Sequence, residues 1–164
     1  MRQLILMRHA EAQPTSGQGD IGRRLSPRGL ADAEVIGRVL AERGARPDHA
    51  LVSSAQRTQD TWEAVRGAFG DVVAEIDRNI YEADSQTLLH RIEALEDGCG
   101  SLLLIGHNPA VHSLAIELLE RSAAAPSTLE RLVGGFPPGS AVVFTADSSG
   151  RLTYDGFFRP GDFR

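Results

Sequence analysis

Short apolar runs alternate with amphipathic stretches along most of the chain, and this alternation limits the available folds more than any other feature. Residues 3–7, 50–53 and 102–106 are apolar runs, with a weaker one at 72–76. Strands without a polar side belong to a parallel sheet covered on both faces. Helical patterns with recognisable ends separate them. Ser26 can cap a helix whose first turn holds Pro27, with Leu30, Ala33, Ile36 and Leu40 on one face and Gly44 after it. Trp62, Val65 and Phe69 line a second helix that stops at Gly70; Leu88, Ile92 and Leu95 line a third, closed by Gly98. Val111, Leu114, Ala115 and Leu118 line a fourth. Residues 140–146 and 151–158, joined through Ser148, Ser149 and Gly150, predict a hairpin near a sheet edge. Within the loosest segment, 121–139, Ser127 and Glu130 have capping-box spacing for a short helix. The expected fold is α/β: a three-layer α/β/α sandwich with a mostly parallel sheet and an antiparallel edge from the C-terminal hairpin.

The 164 residues are enough for one domain, 1–164, and no repeat, low-complexity tract or long linker divides them. No run approaches the ~20 apolar residues that span a bilayer. The first strand begins too early for a signal-peptide layout. A lone cysteine, Cys99, excludes an internal disulfide and fits a reducing cytoplasm. A net charge of -5 argues against nucleic acid or a membrane surface as partner, so an anionic ligand would need a local positive site.

Such a site is suggested where the strands end. In open parallel sheets, ligands bind beyond the carboxyl ends of the strands, where helix N-termini also gather. The first strand ends in Arg8 and His9. The second runs through Ser53 and Ser54, either a possible cap, into a helix whose first turn holds Arg57. The fourth runs into GHNP, where His107 stands at the mouth, Asn108 can cap and Pro109 fills the first helical position. Two arginines and two histidines thus converge on one edge, and two guanidinium forks suit a phosphoryl group.

The residue types also sort the roles. A neutral imidazole is a nucleophile near pH 7, and adjacent arginines disfavour its protonation. His9 is therefore the expected nucleophile, with Arg8, Arg57 and His107 holding phosphoryl oxygens. Glu82, in the loop NIYEAD, is the best-placed acid for a leaving group, ahead of Asp20 and Glu11. A metal hydrolase using His9, Glu11, His107 and His112 is disfavoured, because the last two histidines lie five residues apart and no HExxH-like pair occurs. A silent phosphate-binding module is the other class, although none of the four core residues is missing. His49 and His90 receive no role.

Together these motifs resemble the histidine phosphatase superfamily, whose members share a phosphoglycerate-mutase-like fold. LILMRHAEA resembles its opening RHG-type motif with Ala10 in place of Gly, VSSAQRTQDT its arginine motif, and IGHNP its second-histidine motif. Order, spacing and length are most similar to the SixA-type branch, the phosphohistidine phosphatases. DIGRRLSPRG at 20–29, the Tyr81-Glu82-Ala83 loop and FPPGSAVVF at 136–144 extend the likeness over nearly the whole chain. The resemblance implies a metal-free, cofactor-free cytoplasmic phosphatase that forms a transient phosphohistidine on His9. Arg8, Arg57, His107 and Asn108 would stand around the phosphate, and Glu82 would align with the acid of the mutase-type members. The implied substrate is a phosphorylated molecule, foremost a phosphohistidine-bearing protein; small phosphate esters or sugar phosphates are the alternative. The short chain leaves little material for a lid, which disfavours a mutase.

Overall fold

The computed structural model describes residues 1–164. Six strands form one sheet in the order β3-β2-β4-β1-β5-β6. They are β1 (Gln3–Arg8), β2 (His49–Ser53), β3 (Val73–Asp77), β4 (Ser101–Gly106), β5 (Ala141–Ala146) and β6 (Leu152–Phe158). The first four run parallel; β5 is antiparallel to β1, and β6 to β5. The helices are α1 (Pro27–Glu42), α2 (Gln56–Val65), α3 (Ser85–Leu95), α4 (Ala110–Arg121) and α5 (Pro126–Val133).

The apolar strands are explained by two cores, one on each face. Successive side chains of a strand point to opposite sides. Leu4, Leu6, Leu51, Leu102 and Leu104 meet α3, α4 and α5, whereas Ile5, Met7, Val52, Leu103 and Ile105 meet α1 and α2. A polar residue at any of these central positions would be buried without water, so both sets must be apolar. The three-layer arrangement and the antiparallel edge match the expectation.

Several local details differ from the sequence pattern. Ser26 does cap α1, accepting from Gly29 N at 3.0 Å, but Leu30 is 47% exposed rather than part of the core. Neither Ser53 nor Ser54 caps α2; Ala55 takes the N-cap without a side-chain bond. Asn108 does not cap α4, which starts only at Ala110 with Pro109 at the N-cap and no side-chain cap bond. Ser127 and Glu130 form no capping box, since α5 begins at Pro126. The weak third run shifts by one residue to 73–77 and forms the exposed sheet edge.

One glycine fixes how α1 meets the site-bearing strand end. A Cβ on Gly29 would stand 1.9 Å from the Glu11 carbonyl oxygen, a rigid backbone atom. Only glycine lets α1 start directly beneath the chain leaving β1. Gly29→Ala is expected to lower stability by more than about 2 kcal/mol in urea unfolding. Gly67→Ala, with no atom near the added methyl, should stay within about 0.5 kcal/mol of the parent. Equal midpoints for the two variants would contradict this account of Gly29.

Candidate active site

Three strand ends meet at one edge of the sheet. In the β1–β4 ladder Arg8 lies opposite Gly106, and His9 N donates to Gly106 O at 3.1 Å, so His9 and His107 leave adjacent strands side by side. Their ring centroids are 5.4 Å apart. From the start of α2, Arg57 reaches His107, its Nη2 standing 3.3 Å from Nδ1. His9 and Arg57 are buried, at 7% and 6% exposure. Arg8 donates from Nη1 to Phe136 O at 3.1 Å, and Asn108 donates from Nδ2 to the same carbonyl at 3.0 Å. Both therefore anchor the backbone at Phe136 beside the crevice. Arg8 Nε and Arg57 Nε are buried donors with no acceptor from the protein.

Hydrogen bonds assign the tautomers. His9 Nδ1 lies 2.7 Å from Ala10 O, and a carbonyl only accepts, so Nδ1 carries the proton and Nε2 keeps its lone pair. Arg57 only donates, so His107 Nδ1 is the acceptor and its Nε2–H faces Ser53 Oγ at 2.7 Å. Burial, above all, pushes the His9 imidazole down to about 3; the charges of His107, Arg57 and Arg8 add to this, and the Ala10 bond opposes it. His107 is pushed down to about 4, again chiefly by burial, then by Arg57, with Asp20 opposing. Both rings are neutral at pH 7.

The carboxylates are arranged differently from the expectation. Glu82 is exposed and makes no hydrogen bond or ion pair with the arginines or histidines of the crevice. Asp20, ranked behind it on sequence, is the acid in contact: Oδ2 accepts from Arg57 Nη2 at 3.2 Å and from the Tyr81 hydroxyl at 2.5 Å. The Tyr81 bond, with Arg57 and Arg23, holds Asp20 down at about 2 against the opposing effect of burial. Glu11 turns to Ser26, whose hydroxyl donates to Oε2 at 2.9 Å. His112 donates to Leu132 O at 2.6 Å and stacks on Phe136, so the set His9, Glu11, His107 and His112 is not gathered.

Sequence reasoning missed three contributors. Ser53 read as a cap but is fully buried beneath His107. Thr61 accepts from Ala10 N at 3.0 Å and so holds the chain just after His9. Tyr81 was passed over for its neighbour, although YEA placed it in the right loop.

A crevice of paired imidazoles and arginines on this fold defines a class. The chain belongs to the histidine phosphatase superfamily: the model of branch 1 of that superfamily matches residues 4–92. It falls with the SixA-type branch and is a phosphatase. An uncharacterized protein of Mycobacterium tuberculosis (strain CDC 1551 / Oshkosh) is 32% identical over 137 residues, covering 84% of this chain and 85% of the relative. Among solved structures, the Agrobacterium tumefaciens protein assigned as phosphohistidine phosphatase SixA is 30% identical, with a TM-score of 0.85 over 97% of this chain and 98% of that one. The protein histidine phosphatase SixA complexed with tungstate shares the fold at 24% identity, with a TM-score of 0.80 over 99% of each chain.

The depressed imidazoles have a thermodynamic consequence. Between the ordinary histidine value and the folded values of about 3 and 4, the unfolded chain binds more protons than the folded one. These two groups therefore remove stability as pH falls through that window, each by up to about 1.4 kcal/mol per pH unit. NMR titration should show both rings neutral at pH 5, with His9 protonated at Nδ1 and His107 at Nε2. A half-titration of either near pH 6.5 would contradict the assignment.

Proposed function

We propose that the chain hydrolyses phosphohistidine on a protein substrate through a covalent phosphohistidine of its own on His9. The observation that carries this reading is the bond from His9 Nδ1 to Ala10 O, which leaves Nε2 as a neutral nucleophile held in one orientation. Nε2 attacks phosphorus, the phosphorus–nitrogen bond of the substrate breaks, and the departing imidazole takes a proton from solvent. Water then attacks the phosphoryl group on His9, releasing inorganic phosphate and restoring the free ring. Water is the co-reactant, and no change of oxidation state is involved.

Arg8 and Arg57 neutralise the equatorial oxygens through donors that the protein's own acceptors leave free. His107, anchored through Nε2, presents Nδ1 to the same anion; a bound phosphoryl dianion offsets the arginine charges and lets that nitrogen carry a donating proton. Asn108 supports the Phe136 backbone beside Arg8.

Two features favour a phosphohistidine over an alkyl ester. The carboxylate in contact with the crevice, Asp20, is held down at about 2, first by the Tyr81 bond, and at pH 7 has no proton to give an alkoxide. An imidazole leaving group whose ring takes a proton from solvent departs as the neutral base and needs far less help than an alkoxide. The same reading places the enzyme in the cytoplasm; no helix is long and apolar enough to cross a membrane.

The test is a rate comparison between a phosphohistidine-bearing protein and a panel of small phosphate esters. The expected result is kcat/KM at least about a hundredfold higher for the former, complete loss in His9→Ala, no effect of EDTA, and less than about a twofold change in Glu82→Gln. Preference for an ester would overturn the substrate assignment. A large loss in Glu82→Gln confined to esters would restore that residue as a leaving-group acid.

A further inference from the structure

The catalytic reading leaves the densest polar contact at the crevice without a purpose. Arg57 gives its terminal edge to Asp20: Nη1 donates to the Asp20 carbonyl oxygen at 2.9 Å and Nη2 to Oδ2 at 3.2 Å. Within a planar guanidinium, Nη2 shares its other edge with Nε. That second edge meets His107 Nδ1 at 3.3 Å, and its Nε is buried with no protein acceptor. The guanidinium therefore has one edge tied to Asp20 and the other turned to the imidazoles.

Asp20 is itself held from two sides. Tyr81 donates its hydroxyl to Oδ2 at 2.5 Å, and Arg23 donates Nε to Oδ1 at 3.1 Å. The Tyr81 ring also meets His107 edge-on, centroids 5.7 Å apart, and lies 5.9 Å from the Arg57 guanidinium carbon. Asp20 is the one carboxylate paired with Arg57, whose side chain is 7% exposed against 55% for Asp20. The clamp thus works from the surface inward onto a buried cation.

We infer that Asp20 and Tyr81 are positioning residues of the phosphoryl site: Asp20 fixes Arg57 so that its Nε–Nη2 edge faces the imidazoles, and Tyr81 fixes Asp20. The inference rests on the reading of Arg57 as a phosphoryl ligand. A fork presented in advance only exchanges its bond to His107 Nδ1 for the anion's oxygens, whereas a free arginine must be ordered at that moment. Small misplacements of such a group cost up to about a hundredfold in rate. A merely solvated acid would not carry the three donors that Asp20 accepts from Arg57, Tyr81 and Arg23.

The experiment measures vanadate affinity, kcat and KM on a phosphohistidine-bearing protein for the full chain and for Asp20→Ala, Asp20→Asn, Tyr81→Phe and the Asp20→Ala/Tyr81→Phe double variant. Loss of one charge-assisted bond corresponds to about a tenfold weaker vanadate affinity in Asp20→Ala, with a matching rise in KM. Asp20→Asn, which keeps an acceptor for Arg57, should recover to within about threefold of the parent. Tyr81→Phe should move the same quantities by about twofold to fivefold, and the double variant should be no worse than Asp20→Ala alone, because Tyr81 acts through Asp20. Unchanged vanadate affinity in Asp20→Ala, or additive losses in the double variant, would overturn the inference. Arg57→Ala separates the two levels. If it abolishes vanadate binding while Asp20→Ala changes nothing, the clamp is wrong and the phosphoryl site stands; if Arg57→Ala itself changes nothing, both fall.

Discussion

The bond between His9 Nδ1 and the carbonyl of the next residue is the contact on which the rest of the site depends. It fixes the tautomer, turns the ring, and leaves a lone pair on Nε2 in a place where burial first, then His107 and two arginines, keep the imidazole from charging. Without it the ring could present either nitrogen, and the arginines around it would surround a group of no defined direction. The backbone is in turn held by Thr61, which takes the Ala10 N–H, and by Gly139, whose N–H donates to His9 O at 2.9 Å. The geometry of the crevice is thus mainly a property of main-chain placement at the end of β1.

That placement follows from the sheet. A parallel β1–β4 pair puts His9 and His107 on neighbouring strand ends without any side-chain contact having to draw them together. β2 adjoins β4 on its other side and delivers Ser53 under His107 and Arg57 beside it. Burial of the strands on both faces keeps these ends rigid, which suits donors that must already be aimed when charge develops. The positive field is confined to the crevice on a body of net charge -5, so an anion is attracted by local donors rather than by the protein as a whole.

Much of this was legible in the sequence because strand-to-helix punctuation is a local signal. Apolar runs marked β1, β2 and β4, and the residues just after them named His9, Arg57 and His107. The acids were not legible, because Glu82 and Asp20 both lie in polar loops whose paths depend on distant partners. Asp20 is drawn to the crevice by Arg57 and Tyr81, from positions 37 and 61 residues away in the chain. The helix caps failed for a related reason: Ser53 and Asn108 have capping chemistry, but the packed crevice gives Ser53 to His107 and Asn108 to Phe136. In the sequence, DIGRRLSPRG only extends the likeness to the SixA-type branch; in the folded chain Arg23 and Arg57 both pair with Asp20.

The most direct measurement is identification of the covalent intermediate during turnover of a phosphohistidine-bearing protein. An alkaline quench, which preserves phosphoryl–nitrogen bonds, followed by peptide mass spectrometry should locate one phosphoryl group on His9. A phosphoryl group on another residue, or rapid turnover with no phosphoenzyme at any quench time and full activity in His9→Ala, would contradict the account.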